Sequence, residues 1–123
     1  HGSALQAGRP MTRGAQAEAL AAAHLERHGL KIVERNFRVR GGEVDLICRD
    51  GRTLVFVEVR LRGNARFGGA AASITATKQR RLILAAQHYL AGKPEVACRF
   101  DCVLLDALDP ARINWVRNAF DAD

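Results

Sequence analysis

Gly42-Glu43-Val44-Asp45-Leu46-Ile47 and, one turn later, Val55-Phe56-Val57-Glu58-Val59-Arg60 are two apolar runs that each carry acids where a buried strand should carry none. Asp50-Gly51 between them is a strong hairpin signal, because Asp-Gly accepts the positive backbone angles of a tight turn. A turn centred on that dipeptide pairs Glu43 with Glu58 and Asp45 with Phe56. Asp45 and Glu58 then become diagonal neighbours on one face, and Arg60 projects from the same face. Three clustered carboxylates repel one another and require a compensating cation. A hard divalent ion, Mg²⁺ or Mn²⁺, is the simplest candidate. The competing reading is an ion-pair cluster with Arg60 and Arg40. Acids that end doubly buried strands are costly without a purpose, which favours the metal site.

The hairpin is apolar on both sides. Val44, Leu46, Cys48, Val55, Val57 and Val59 are expected on one face, and Ile47, Leu54 and Phe56 on the other. Such strands belong in the middle of a sheet covered by helices. Outward from the hairpin, Thr12 caps a helix running to about His28, with Gly29 as its stop. Leu30 to Arg40 is extended, and its interruption at Glu34-Arg35-Asn36 predicts an edge strand with a bulge. A second helix is expected from Thr75 to Leu90, with Ile74, Leu82, Ala85, Ala86 and Tyr89 facing the core and Gly92 ending it. Pro94 leads into a strand from Ala97 to Leu105, and strand-helix-strand reads as a right-handed crossover between parallel neighbours. Asp109-Pro110 turns the chain toward a short last strand at Ile113 to Val116. The class is α/β, with element order αβββαβ and one further strand.

At 123 residues the chain is expected to form one domain, residues 12–120, after a leader at 1–11 that begins with an expression scar, His1-Gly2-Ser3. No apolar run reaches the ~18 residues of a membrane span, and no secretory signal is evident. The net charge of +6 favours a polyanionic partner. All basic residues but Lys31, Lys78 and Lys93 are Arg, which grips phosphate bidentately; a GC-rich genome would produce the same bias. Cys48, Cys98 and Cys102 form no CxxC pair and are expected as buried thiols of a reducing cytoplasm. His24, His28 and His88 are expected at the surface.

The segment Leu61-Arg62-Gly63-Asn64-Ala65-Arg66-Phe67-Gly68-Gly69 is a basic, glycine-rich loop beside the acids. Arg62 and Arg66 are expected to contact phosphate there, as is Lys78 in the first turn of the second helix. Arg80 and Arg81 read equally well as a solvated face. Asp101, in Arg99-Phe100-Asp101, is expected to pair with Arg99 or to organise the sheet. Trp115 and Phe120 could pack within the chain or against a partner, which leaves a homodimer open.

GEVDLI, VFVEVR about a dozen residues later, the basic glycine loop, KQRRL in the second helix and RFD in the next strand together resemble the bacterial YraN family. The resemblance covers residues 12 to about 120. That family belongs to the restriction-endonuclease-like superfamily, whose loose signature is D…(D/E)-x-K. The resemblance implies an αβββαβ core, a central mixed sheet flanked by helices, and metal-dependent hydrolysis of DNA, with similarity to Holliday-junction resolvases pointing to branched DNA. It matches Asp45 and Glu58 to the metal-binding acids, Glu18 to an additional helical acid, and Glu43 to the GE-[IV]-D element. Arg60 falls where lysine is expected. Arg stays protonated and cannot act as a base, though it can stabilise phosphoryl charge. The alternative is therefore a catalytically weak or inactive nucleic-acid-binding protein of the same fold.

Overall fold

The computed structural model describes residues 10–62 and 74–122. Helix α1 spans Arg13–Arg27, and strands β1, β2 and β3 span Lys31–Val39, Gly42–Asp50 and Thr53–Leu61. Helix α2 spans Ala76–Leu90, β4 Cys98–Leu105 and β5 Ile113–Phe120, the last preceded by a short 3₁₀ turn at Pro110–Arg112. Both helices start where a threonine can cap them: the Thr12 hydroxyl accepts from the Ala15 amide and that of Thr75 from the Lys78 amide. The five strands lie in sequence order, antiparallel except for the parallel β3–β4 pair that α2 bridges. β5 is twice the expected length and covers the outer edge of β4.

Among the described residues, one helix packs on each face. Ala17, Ala21, Ala22 and Leu25 of α1 bury against Leu46, Cys48, Val55, Val57, Val103 and Leu105. Leu82, Ala85 and Ala86 of α2 bury against Val44, Ile47, Leu54, Phe56 and Phe100. Val44 thus lies on the α2 face, not with Leu46 and Cys48 as alternation predicts. The slip occurs at Asp45, where the β1–β2 ladder skips a pair and the facing Asn36 takes a left-handed φ of 52°. A separate bulge between Ile32 and Glu34 bears out the irregular edge strand.

The hairpin register also differs from the expected one. Asp50 pairs with Thr53 and Leu46 with Val57, so the turn is centred on Gly51-Arg52, with Gly51 at φ +61°. From Leu46 to Asp50 each β2 residue therefore meets a β3 partner two positions further along, which keeps these residues on their expected faces while changing who opposes whom. Glu43 does not face Glu58, and Asp45 does not face Phe56.

Gly42, the first residue of β2, is needed for close packing. A Cβ there would lie 2.5 Å from the Arg81 carbonyl oxygen and 3.1 Å from the Ala85 nitrogen, so only glycine lets α2 seat this closely on β2. The turn itself falls to Gly41 at φ +85°.

Asp101 is fully buried and organises the sheet edge. It accepts from Arg99 Nε (3.0 Å), Trp115 Nε1 (2.9 Å) and the Asn118 amide (2.8 Å), which fastens β5 to β4. Trp115 therefore packs at home, with the rings of His24 and His28 edge-on to it. His24 is half-buried and not at the surface as expected. Cys98 corrects a second expectation: it is exposed, whereas Cys48 and Cys102 are buried, with thiols that burial pushes up to about 12.

Candidate active site

Where the ends of β2 and β3 meet the N-terminal turns of both helices, a cleft of about 230 Å³ opens. Glu18 comes from α1, Glu43 and Asp45 from β2, Glu58 and Arg60 from β3, and Lys78 and Arg81 from α2. Their convergence follows from packing. Small residues, Gly14 and Ala17, bring α1 to the cleft wall, and Gly42 lets α2 descend on the other side.

The last paired step of the β2–β3 ladder is Leu46–Val57, and the next would set Asp45 against Glu58. There the ladder opens. Asp45 Oδ2 accepts the Val59 backbone amide at 2.8 Å, so the side chain takes a proton that a strand carbonyl would otherwise receive. This bond anchors the Asp45 carboxyl at the cleft wall. The Asp45 carboxyl is pushed up to about 7, first by burial and then by the Glu58 charge; the Val59 amide opposes the shift, and Glu18 and Glu43 add to it. Burial also raises Glu58, against the pull of Lys78, Arg60 and a hydrogen bond shared with Asp45. Two half-buried carboxyls that repel each other are the donor chemistry a hard divalent ion takes, since Mg²⁺ is commonly held by one or two carboxylates and keeps several waters. Among the described residues, no three His, Cys, Asp or Glu side chains are grouped closely enough to enclose an ion unaided. Asp45 and Glu58 would be the ligands, with Glu18 in electrostatic reach.

The cations are placed differently from one another. Lys78 Nζ lies 3.8 Å from Glu58 Oε2. Arg60 lines the cleft but makes no ion pair with the acids among the described residues, and its Nε is buried without a partner. Among the described residues, neither Arg60 nor Arg40 forms the ion pair with these acids that was weighed from sequence. Glu43 stands at the rim and is drawn away from Asp45 by Arg81 (3.5 Å) and Arg38 (4.0 Å). Arg62 turns aside: its guanidinium donates to Asp106 at 2.8 Å, so it ties β3 to the segment after β4. Arg66 lies outside the described residues. From sequence Arg81 read equally well as part of a solvated face, yet the spacing carries a signal: Lys78, Arg81 and Ala85 follow helical periodicity, and Arg81 and Ala85 meet Gly42.

No helix among the described residues is long and apolar enough to cross a membrane. Residues 17–105 match the model of the uncharacterised protein family UPF0102. The chain is 65% identical over 111 residues to the UPF0102 protein of Dechloromonas aromatica, covering 90% of each chain. It is 61% identical to that of Cupriavidus taiwanensis (90% of this chain, 84% of the relative) and 56% identical to that of Nitrosomonas europaea (89% and 93%). With a mixed five-stranded sheet between two helices among the described residues, consistent with a restriction-endonuclease-like core, the chain belongs to UPF0102, the YraN family.

Proposed function

We propose that this protein is a divalent-metal-dependent endonuclease that hydrolyses phosphodiester bonds in DNA, with branched or junction DNA as the preferred substrate. The opposed carboxyls of Asp45 and Glu58, set beside Arg60 and Lys78 in one cleft, carry the reading. Mg²⁺ or Mn²⁺ would supply charge neutralisation and activation of an attacking water. Asp45 and Glu58 would hold the ion, and the Val59 amide keeps the Asp45 carboxyl in place. Arg60 supplies a permanent positive charge toward the phosphoryl oxygens, the role a guanidinium can fill without losing a proton. The basic balance of the chain draws DNA toward the cleft. Three free thiols suit a reducing compartment, and we place the protein in the cytoplasm.

A labelled panel of duplex, single strand, flap and four-way junction, with Mg²⁺ or Mn²⁺, tests this. Glu58→Ala is expected to lose cleavage by more than about 100-fold while keeping DNA affinity. A large loss of affinity with unchanged cleavage would sink the assignment. One observation favours a second reading: the guanidinium of Arg60 stands in the cleft where the superfamily signature places lysine. On that reading the protein binds DNA and does not cut it. Wild type that binds but is inert, with activity gained in Arg60→Lys, selects it.

A further inference from the structure

Among the described residues, Lys78 is the one cation whose ion pair is with Asp45 or Glu58, at 3.8 Å from Glu58. Arg81 is committed to Glu43, and Arg60 makes no such pair. The base of Lys78 is fixed: the Thr75 cap and the close seating of α2 over Gly42 set where its Cα lies. Its end is not fixed. The side chain is 38% exposed, and the long contact lacks the geometry of a tight charge-assisted hydrogen bond. A lysine ammonium on a flexible stem can leave such a partner at little cost.

We infer that Lys78 is an exchangeable counter-ion that couples metal binding to DNA binding at this site. Without an ion it neutralises Glu58; when a divalent ion takes the carboxyls, it turns to a substrate phosphate. The inference rests on the metal reading of Asp45 and Glu58 and adds regulation to it. Linkage makes the coupling reciprocal: DNA that draws Lys78 away raises metal affinity, and metal that displaces Lys78 raises DNA affinity by the same factor.

Calorimetric titration of the full chain with Mn²⁺, alone and with a short phosphorothioate duplex, tests this without turnover. In the absence of DNA, Lys78→Ala is expected to bind Mn²⁺ about three- to fivefold more tightly than wild type, the scale of a partly exposed ion pair. Arg80→Ala removes the same charge from the same helical turn, but its guanidinium bonds Thr77 and not the acids, so it should shift affinity less. The duplex should raise Mn²⁺ affinity more in wild type than in Lys78→Ala. Unchanged or weaker Mn²⁺ binding by Lys78→Ala, an equal shift in Arg80→Ala, or equal enhancement by DNA in wild type and Lys78→Ala overturns the coupling while leaving the metal site standing. No Mn²⁺ binding by wild type at all overturns the metal site, and the coupling with it.

Discussion

Replacing Asp45 by Asn removes a charge and leaves nearly everything else in place. The Asn carbonyl oxygen can still accept the Val59 amide that Asp45 Oδ2 now takes at 2.8 Å. What disappears is the repulsion with Glu58 and the penalty of a half-buried carboxylate. The folded carboxyl is pushed up to about 7 from an ordinary 3.8, so between these values the native state binds a proton that the unfolded chain does not. Wild-type stability therefore falls as pH rises from about 4 to 7 on account of this group, and the loss is complete above about pH 7. At about 1.4 kcal/mol per pH unit the full shift corresponds to roughly 4 kcal/mol. Sharing of the proton with Glu58 and relaxation around the cleft reduce it, to about 1–3 kcal/mol.

Urea unfolding of both proteins in chelator, at pH 4.5 and pH 8, measures the difference. Asp45→Asn is expected to be more stable at pH 8 by about 1–3 kcal/mol and close to wild type at pH 4.5. A stabilising substitution in the half-buried wall of a cleft is the mark of a group retained for chemistry at the expense of stability. Adding Mg²⁺ or Mn²⁺ should close the gap at pH 8 by stabilising wild type alone. Equal stability at pH 8, or parallel pH profiles, would refute the electrostatic account of the cleft.

Three further substitutions separate architecture from chemistry. Gly42→Ala places a Cβ 2.5 Å from the Arg81 carbonyl and must lift α2 from β2; it should cost about 1–3 kcal/mol in thermal or urea unfolding, and a neutral result would show that α2 is not held by this contact. Asp101→Ala strands the Trp115 and Asn118 donors and removes a partner of Arg99; a loss of about 3 kcal/mol with altered Trp115 fluorescence is expected, whereas an unchanged emission spectrum would contradict the role given to Asp101. Arg62→Ala breaks the half-buried pair with Asp106; it should lower stability by about 1 kcal/mol and leave DNA affinity nearly unchanged in a filter-binding or anisotropy assay, while a steep affinity loss with intact stability would return Arg62 to the phosphate contacts.

The element order, the Thr12 cap, the glycine stops, the bulged edge strand and the doubly buried hairpin were all legible in the chain, because each depends on residues within a few positions of one another. The acids at the far end of that hairpin were legible for the same reason: charge in an apolar run stands out without a structure. Register was not. Sliding β3 by two residues preserves the face of every side chain, so alternation is the same for the expected pairing and for the observed one. Contacts distant in sequence accompany the choice: β3 lies in parallel register with β4, with Phe56 beside Phe100, and Asp45 takes the Val59 amide where the ladder opens. The partners of the basic residues were hidden for a related reason, since a long side chain pairs with whatever acid the fold delivers: Arg62 with Asp106, Lys78 with Glu58, Arg81 with Glu43. Residue type and local period were enough to show which functional groups the strands and helices carry, because both are read from the chain without its fold. That Asp45 takes the Val59 amide where the ladder opens, and that Lys78 pairs with Glu58, was settled by folding alone, because register and close helix approach depend on atoms that meet only in the folded chain.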